Sequence, residues 1–147
     1  MRRWLAAGGA AAVLAMAACG SGPEGDAMTI EVHSSPSCDC CSLYEEYLAG
    51  EGFTVEPVVV DNPAAVSDQH GVPAELGSCH VSIVDGYFVE GHVPVDAVRR
   101  LLDERPEIDG ISLPGMPAGT PGMPGEQEEP WVVYAVDDGE ITEFARY

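Results

Sequence analysis

The sequence contains no lysine, and its six basic residues, all arginine, stand against 25 acidic residues. The formal net charge of −19 argues against nucleic acid as a partner, because phosphate binding needs a cationic surface. The same charge would be repelled by an anionic membrane surface. We interpret the acidity as a source of solubility, since it points to no particular partner.

The N-terminal region also lacks an apolar run long enough for a permanent membrane helix. Residues 4–15 are apolar and follow two arginines, and no acidic residue precedes Cys19, so this region predicts an export signal. Its last four residues, MAAC, resemble a bacterial lipobox, which implies cleavage before Cys19 and lipid attachment to its sulfur. An ordinary secretory signal with an unused Cys19 is the alternative.

This interpretation divides the chain into a signal peptide at 1–18, a flexible tether at 19–27 and one folded domain at 28–147. The expected location is extracytoplasmic, with a lipid anchor in a bacterial membrane, at the cell surface or in the periplasm. Thiols can oxidise in that environment.

Residue patterns in the folded part predict alternating strands and helices. Strands are expected at 29–34, 54–60, 79–84 and 87–93, helices at 42–49, 62–69 and 95–104, and a closing hairpin at 131–136 and 141–147. A stretch rich in proline and glycine, without periodicity, covers 106–130. The order strand, helix, strand, helix, hairpin, helix is that of thioredoxin. We therefore predict an α/β protein with a thioredoxin-like fold: a central mixed sheet, flanking helices, a Pro/Gly/Met-rich loop and a C-terminal β-hairpin.

Three thiols crowd the junction between the first strand and the first helix. Cys38 and Cys41 form a C-x-x-C pair, and amides at the helix start stabilise a thiolate there, although Asp39 opposes this effect. Cys40 is a third thiol, which a simple dithiol exchanger does not need. Extra thiolates suit a soft ion such as Cu(I). A buried Cys38–Cys41 disulfide with an idle Cys40 is the alternative.

A fourth thiol, Cys79, begins the predicted hairpin around an Asp-Gly turn. A two-residue turn places Val81 opposite Glu90 and Cys79 opposite His92, with Cβ atoms about 5 Å apart. A thiol and an imidazole at that range can share a metal ion. His80 would then point to the other face, but a bulge would exchange the two roles, so both histidines are candidate ligands.

Met116 and Met123 each lie between glycine and proline in the irregular stretch. Thioether sulfur favours Cu(I) over zinc, although both residues could instead fill gaps over the core. His33 and His70 are interpreted as surface or core residues.

Several motifs together resemble the CopG-type periplasmic metal-binding proteins, long catalogued only as a domain of unknown function. The matching segments are SPSCDCC (35–41), GVP (71–73), SCH (78–80), GY (86–87), EGHVP (90–94), PGMP (114–117) and PGM (121–123). The resemblance implies a thioredoxin-like fold, copper binding through the C-x-C-C cysteines, and a role in copper resistance that includes a change in copper's oxidation state. The family usually has glycine at the position of Asp39.

The leading hypothesis is an extracytoplasmic protein that sequesters, transfers or redox-converts copper, with Cu(I) favoured. Its expected metal ligands are Cys38, Cys40, Cys41, Cys79, His92, His80, Met116 and Met123. One alternative is a thioredoxin-like thiol-disulfide oxidoreductase, with Cys38 as nucleophile and Cys41 as resolving thiol. Another is a structural zinc site of Cys3His type. Either redox chemistry would make the protein an enzyme, and the sequence does not identify the protein that donates or receives copper.

Overall fold

One mixed β-sheet forms the centre of the computed structural model, which describes residues 27–147. Its strands are β1 (Thr29–Ser34), β2 (Thr54–Val59), β3 (His80–Val84), β4 (Tyr87–Glu90), β5 (Gly110–Ser112), β6 (Val132–Asp137) and β7 (Glu140–Arg146). The helices of this part of the chain are α1 (Asp39–Gly50), α2 (Pro63–Gln69) and α3 (Val95–Glu104), with a 3-10 turn at Ala74–Leu76. The predicted signal peptide, Cys19 and nearly all of the tether lie outside the described residues.

The order of the strands brings three chain segments to one end of the sheet. The order is β2-β1-β3-β4-β5-β6-β7, with β1 parallel to β2, β4 parallel to β5, and the other neighbours antiparallel. Ser34, the last residue of β1, pairs with His80, the first residue of β3. The end of β4 lies on the other side of β3. Three chain segments therefore meet at this end of the sheet: the one that follows β1, the one that precedes β3 and the one that follows β4.

Helices cover both faces of the sheet, as expected for a mixed α/β protein. On one face, α1 and α3 pack against β1, β4 and β5 through residues such as Leu48, Leu101 and Ile111. On the other face, α2 and the 3-10 turn pack against β3, β4 and β6 through Val66, Leu76 and other apolar side chains. The sheet is thus buried on both sides at its middle.

The hairpin between β3 and β4 forms in the predicted register. Asp85 and Gly86 have φ angles of 49° and 86°, which a two-residue turn with two left-handed positions requires. Val84 pairs with Tyr87, and Val81 pairs with Glu90.

Helix α1 begins at Asp39, three residues before the predicted start. Cys38 is the N-cap residue, and the Cys41 N–H donates to its carbonyl oxygen at 3.2 Å. An acidic residue in the first turn, Asp39, interacts favourably with the helix dipole and supports the earlier start. The cysteines therefore belong to the helix start itself rather than to a loop before it.

Strand β4 ends at Glu90, not at residue 93 as predicted, because Gly91 turns the chain with a φ of +77°. A Cβ atom at this position would lie 2.6 Å from the Leu113 carbonyl oxygen. Only glycine suits both the left-handed backbone and this close approach.

The predicted irregular stretch at 106–130 contains a short strand that the sequence analysis missed. β5 pairs with β4 on one side and β6 on the other. The C-terminal hairpin is therefore continuous with the main sheet.

The apolar end of β2 is not buried, although its valine run suggested a buried parallel strand. β2 is parallel to β1 but lies at the edge of the sheet, and Val59 is 67% exposed. Pro57 lies within this strand, and proline is tolerated at an edge because it lacks the N–H that a second neighbour would need.

Among the described residues, no helix has the length and apolar character that a membrane crossing needs.

Candidate metal centre

Four sulfur atoms from two distant parts of the chain meet at the end of the sheet. The Cys79 Sγ atom lies 3.8 Å from that of Cys40 and 3.7 Å from that of Cys41. The Cys38 and Cys40 sulfurs are 3.4 Å apart. All four sulfurs lie within 4.8 Å of one another, which is close enough for shared ions.

Two of these sulfurs are joined in the structure, since Cys38 and Cys41 form a disulfide. Cys40 and Cys79 are free thiols. Cys41 is fully buried, whereas Cys38 and Cys40 are only partly buried. The structure therefore has the Cys38–Cys41 disulfide that the sequence analysis considered as an alternative to free thiols. Cys40 is not isolated in it, because its sulfur contacts those of Cys38 and Cys79.

The start of α1 favours negative charge at this cluster. Cys38 caps the helix, and Cys40 and Cys41 lie in its first turn, where backbone N–H groups have no carbonyl four residues earlier in the helix to bond to. These groups and the helix dipole stabilise thiolates, so reduction of the disulfide would release sulfurs suited to bind cations.

Both candidate histidines contact the Cys79 sulfur. The distances are 3.3 Å to Nδ1 of His80 and 3.3 Å to Nε2 of His92. Both rings are fully buried, and their centroids lie 4.9 Å apart. The expectation that His80 points to the opposite face is therefore wrong, because the turn at Gly91 brings His92 to the side on which His80 lies.

Both imidazoles are held in the neutral form that binds metals. Burial, and then the neighbouring His92, lower the pKa of His80 to about 3. Burial also lowers the pKa of His92. Burial and the neighbouring Cys40 raise the pKa of Cys79 to about 12, so this thiol is protonated at neutral pH and would have to lose its proton to bind a cation.

The Pro121 carbonyl oxygen fixes the tautomer of His92. It lies 2.7 Å from Nδ1, and since a carbonyl oxygen only accepts, Nδ1 must donate. The Nε2 atom of the neutral ring then presents its lone pair to Cys79. Metal-binding histidines in proteins are commonly oriented by such a bond from the second ring nitrogen.

The loop after β5 contains two Gly-Met segments, and each contacts a different part of the site. One contacts the segment that carries Cys79, and the other packs on α1. The Ser78 hydroxyl donates to the Gly115 carbonyl oxygen at 2.6 Å, directly before Met116. Gly122, directly before Met123, packs so closely on α1 that a Cβ atom would lie 2.8 Å from the Tyr44 backbone nitrogen. Met116 is 50% exposed, whereas Met123 is partly buried.

Tyr44 forms the floor below the two imidazoles. Its ring centroid lies 4.8 Å from that of His80 and 5.4 Å from that of His92. Its hydroxyl donates to the Val93 carbonyl oxygen at 2.8 Å, and the whole side chain is buried. Burial raises the pKa of Tyr44, so the hydroxyl stays protonated and keeps this bond.

The donor set fits a soft metal ion. Within residues 27–147, the groups of side chains close enough to hold an ion are Cys38-Cys40-Cys41-Cys79 and Cys79-His80-His92, which share Cys79. The Nε2 atom of His80 is buried without a hydrogen-bond partner. Its Nδ1 atom is the one that lies beside the Cys79 sulfur, and thiol sulfur together with imidazole nitrogen is a donor set that soft ions such as Cu(I) and Zn²⁺ accept.

The remaining histidines lie outside these groups. His33 is beside Glu31 on β1, with 3.4 Å between the ring nitrogen and the carboxylate. His70 is exposed at the end of α2.

Sequence reasoning missed a buried carboxylate next to the site. Glu90 accepts hydrogen bonds from the Ser78 backbone N–H at 2.6 Å and the Ser67 hydroxyl at 2.8 Å. Burial raises its pKa to about 6. The predicted register did pair Glu90 with Val81, and an acid opposite a core valine was the available signal.

The fold is a mixed β-sheet flanked by helices, and cysteine and histidine side chains cluster at one end of the sheet. These features place the chain among α/β proteins with a metal-binding or thiol redox site. The family described as protein of unknown function DUF411 matches residues 76–123. Two solved structures, described as copper resistance protein CopG, form 2 and form 1, are each 37% identical and cover 83% of this chain. Their TM-scores are 0.78 and 0.76, and 99% and 98% of those chains are covered. The chain belongs to the CopG family. A comparison with curated proteins found no match.

Proposed function

We propose that this chain is an extracytoplasmic copper-binding protein that acts in copper homeostasis or resistance. The observation that carries the proposal is the convergence of four sulfurs, partly or fully buried, with two buried, neutral imidazoles at one end of the sheet. The relatives described as copper resistance proteins support copper as the metal. An extracytoplasmic location is supported by the leader sequence and by the Cys38–Cys41 disulfide, because disulfides persist outside the cytoplasm.

Cu(I) is the favoured cargo. Thiolates are soft ligands that select Cu(I), and two imidazoles add nitrogen donors that also suit copper. Cys38, Cys40, Cys41 and Cys79 would supply sulfur, with His80 and His92 on the inner side. The Gly-Met segments would cover the cluster, with Met116 and Met123 as additional sulfur donors. The zinc alternative is less favoured, because Zn²⁺ sites usually need only four ligands and this pocket gathers more.

The disulfide links copper binding to the redox state of the protein. Two thiolates of the pair, Cys38 and Cys41, can each give one electron to one Cu(II), which forms the disulfide and leaves two Cu(I). Reduction of the disulfide by an external dithiol restores both thiolates. The same residues would then sequester, transfer or convert copper, depending on how many thiols are free.

We expect the reduced protein to bind more Cu(I) than the oxidised protein, because the disulfide removes two of four sulfur ligands. Metal-free protein is prepared in both forms under anaerobic conditions and titrated with Cu(I) in competition with a chromogenic chelator. The reduced form should retain Cu(I) at chelator concentrations that strip the oxidised form. Equal stoichiometry and retention in the two forms would rule out Cys38 and Cys41 as ligands. Zinc rather than copper in protein purified anaerobically from copper-supplemented cells would support the structural zinc site.

The second candidate function is thiol-disulfide exchange, with a thioredoxin-like fold. It is favoured by the order of the elements and by a C-x-x-C disulfide at the start of α1, with Cys38 partly exposed and Cys41 buried. In the reduced protein, the Cys38 thiolate would attack a substrate disulfide and release one substrate thiolate. Cys41 would then attack the mixed disulfide and release the second.

Insulin reduction separates the two functions. If copper binding is the main function, metal-free protein with dithiothreitol should precipitate insulin no faster than dithiothreitol alone. The partly buried Cys79 and Cys40 sulfurs beside the pair would compete with a substrate for the mixed disulfide and slow exchange. Turnover well above that background, lost in Cys38→Ser, would instead establish the exchanger.

A further inference from the structure

We propose that Glu90 is a positioning residue that holds Cys79 in the sulfur cluster from the opposite face of the sheet. The inference deepens the proposed function, because it rests on Cys79 as a ligand of the copper site. Glu90 itself does not touch the cluster. It acts through Ser78, the residue directly before Cys79.

The carboxylate of Glu90 clamps the segment before β3. Its two oxygens accept one bond each, from the Ser78 backbone N–H at 2.6 Å and from the Ser67 hydroxyl on α2 at 2.8 Å. The side chain is 1% exposed. Since Cys79 precedes the first residue of β3, this bond fixes the backbone one residue before the Cys79 sulfur.

The same clamp extends to the other parts of the site. The Ser78 hydroxyl donates to the Gly115 carbonyl oxygen, which connects the Cys79 segment to the Met116 segment. The Glu90 carbonyl oxygen accepts from the Leu113 N–H at 3.0 Å. Along the chain, Glu90 lies two residues before His92. Glu90 is thus connected to the three segments that carry Cys79, His92 and Met116.

A carboxylate in this position is unfavourable for stability alone. Burying an ionisable group costs free energy unless it is paired, and both donors to Glu90 are neutral. Among the ion pairs of the described residues, none includes Glu90. An apolar side chain would suit the neighbouring Val81 and Phe88 better. The presence of a carboxylate here therefore indicates a role beyond packing, and its bond to the Ser78 N–H points to the positioning of the Cys79 segment.

Three substitutions separate positioning from general stability. Glu90→Gln can still accept from Ser78 and can donate to the Ser67 hydroxyl, so it should rescue the role. Glu90→Leu keeps similar volume but leaves the Ser78 N–H unpaired. Ser67→Ala is the matched control, because it removes the bond to α2 and keeps the bond to Ser78. Glu90→Ala, which opens space instead of filling it, is a second disrupting variant if the leucine prevents folding.

The first measurement needs no metal. Oxidised, metal-free protein is treated with N-ethylmaleimide, and labelling of Cys79 and Cys40 is compared in the same molecules by peptide mass spectrometry. We expect the Cys79-to-Cys40 labelling ratio to rise about tenfold in Glu90→Leu, since a lost buried hydrogen bond loosens the segment locally. The ratio should stay near the wild-type value in Glu90→Gln and Ser67→Ala. General destabilisation would raise the labelling rates of both thiols, whereas local loosening of the Cys79 segment raises the rate of Cys79 and leaves that of Cys40 near the wild-type value.

The second measurement is Cu(I) affinity of the reduced variants. Glu90→Leu should bind about 10–100-fold more weakly than wild type, the usual effect of losing a residue that orients a metal ligand. Glu90→Gln should bind like wild type. An unchanged labelling ratio in the folded Glu90→Leu or Glu90→Ala variant, or an equal rise in Ser67→Ala, would overturn the role of Glu90. If wild type binds no Cu(I), the proposed function fails while the labelling ratio still decides the role of Glu90.

Discussion

Replacing both Cys38 and Cys41 with serine should remove most of the Cu(I) that the reduced protein binds. The double variant keeps two sulfurs, from Cys40 and Cys79, where the wild type offers four within 4.8 Å of one another. Serine is close in size to cysteine, but its hydroxyl is a hard ligand that does not suit Cu(I). Copper stoichiometry and competition with a chromogenic chelator, both under anaerobic conditions, measure the loss.

His70→Ala is the control for this experiment, because His70 is exposed at the end of α2 and outside both ligand groups. It should bind copper like wild type. Unchanged copper stoichiometry in the double cysteine variant would remove these residues from the site and leave the thiol-exchange function as their role.

Tyr44→Ala should destabilise the protein by about 3–5 kcal/mol, the usual cost of removing a large buried aromatic side chain. Tyr44 is fully buried, contacts both imidazole rings and bonds to the Val93 carbonyl oxygen. The cavity would open directly below His80 and His92. Urea denaturation of the oxidised, metal-free protein measures the change, so that bound metal adds nothing to the stability.

Tyr44→Phe is the matched control for this substitution. It keeps the packing of the ring and loses only the hydroxyl, which leaves the Val93 carbonyl oxygen unpaired and should cost about 1–2 kcal/mol. Equal losses in the two variants would show that the hydrogen bond, and not the packing below the imidazoles, accounts for the stability.

The sequence was sufficient to predict the hairpin register up to Val81 and Glu90, but the contact between Cys79 and His92 lies beyond the paired residues and follows the turn at Gly91. The Asp-Gly turn determined the pairing from Val84 and Tyr87 to Val81 and Glu90, because side chains alternate with a fixed period in strands. The C-x-x-C pair at a strand-to-helix junction similarly located the start of α1 to within three residues.

Other features depend on contacts between distant residues, which no local pattern reveals. The strand β5 has three residues, too few for periodicity, and it exists because β4 and β6 pair with it on both sides. The bond from His92 to the Pro121 carbonyl oxygen joins residues of a strand end and an irregular loop. The burial of Glu90 likewise depends on the packing of α2 against the sheet.

The left-handed turn at Gly91 sets the balance of donor atoms in the pocket. In a strand that continued straight, alternation would separate His92 from His80 and leave a single imidazole on the side of Tyr44. The conformation of Gly91 is therefore the reason that two imidazoles, those of His80 and His92, lie beside the sulfurs. Nitrogen donors accommodate Cu(II) better than thiolates alone, so under the proposed function the backbone conformation of one glycine would widen the range of copper oxidation states that the pocket could accept.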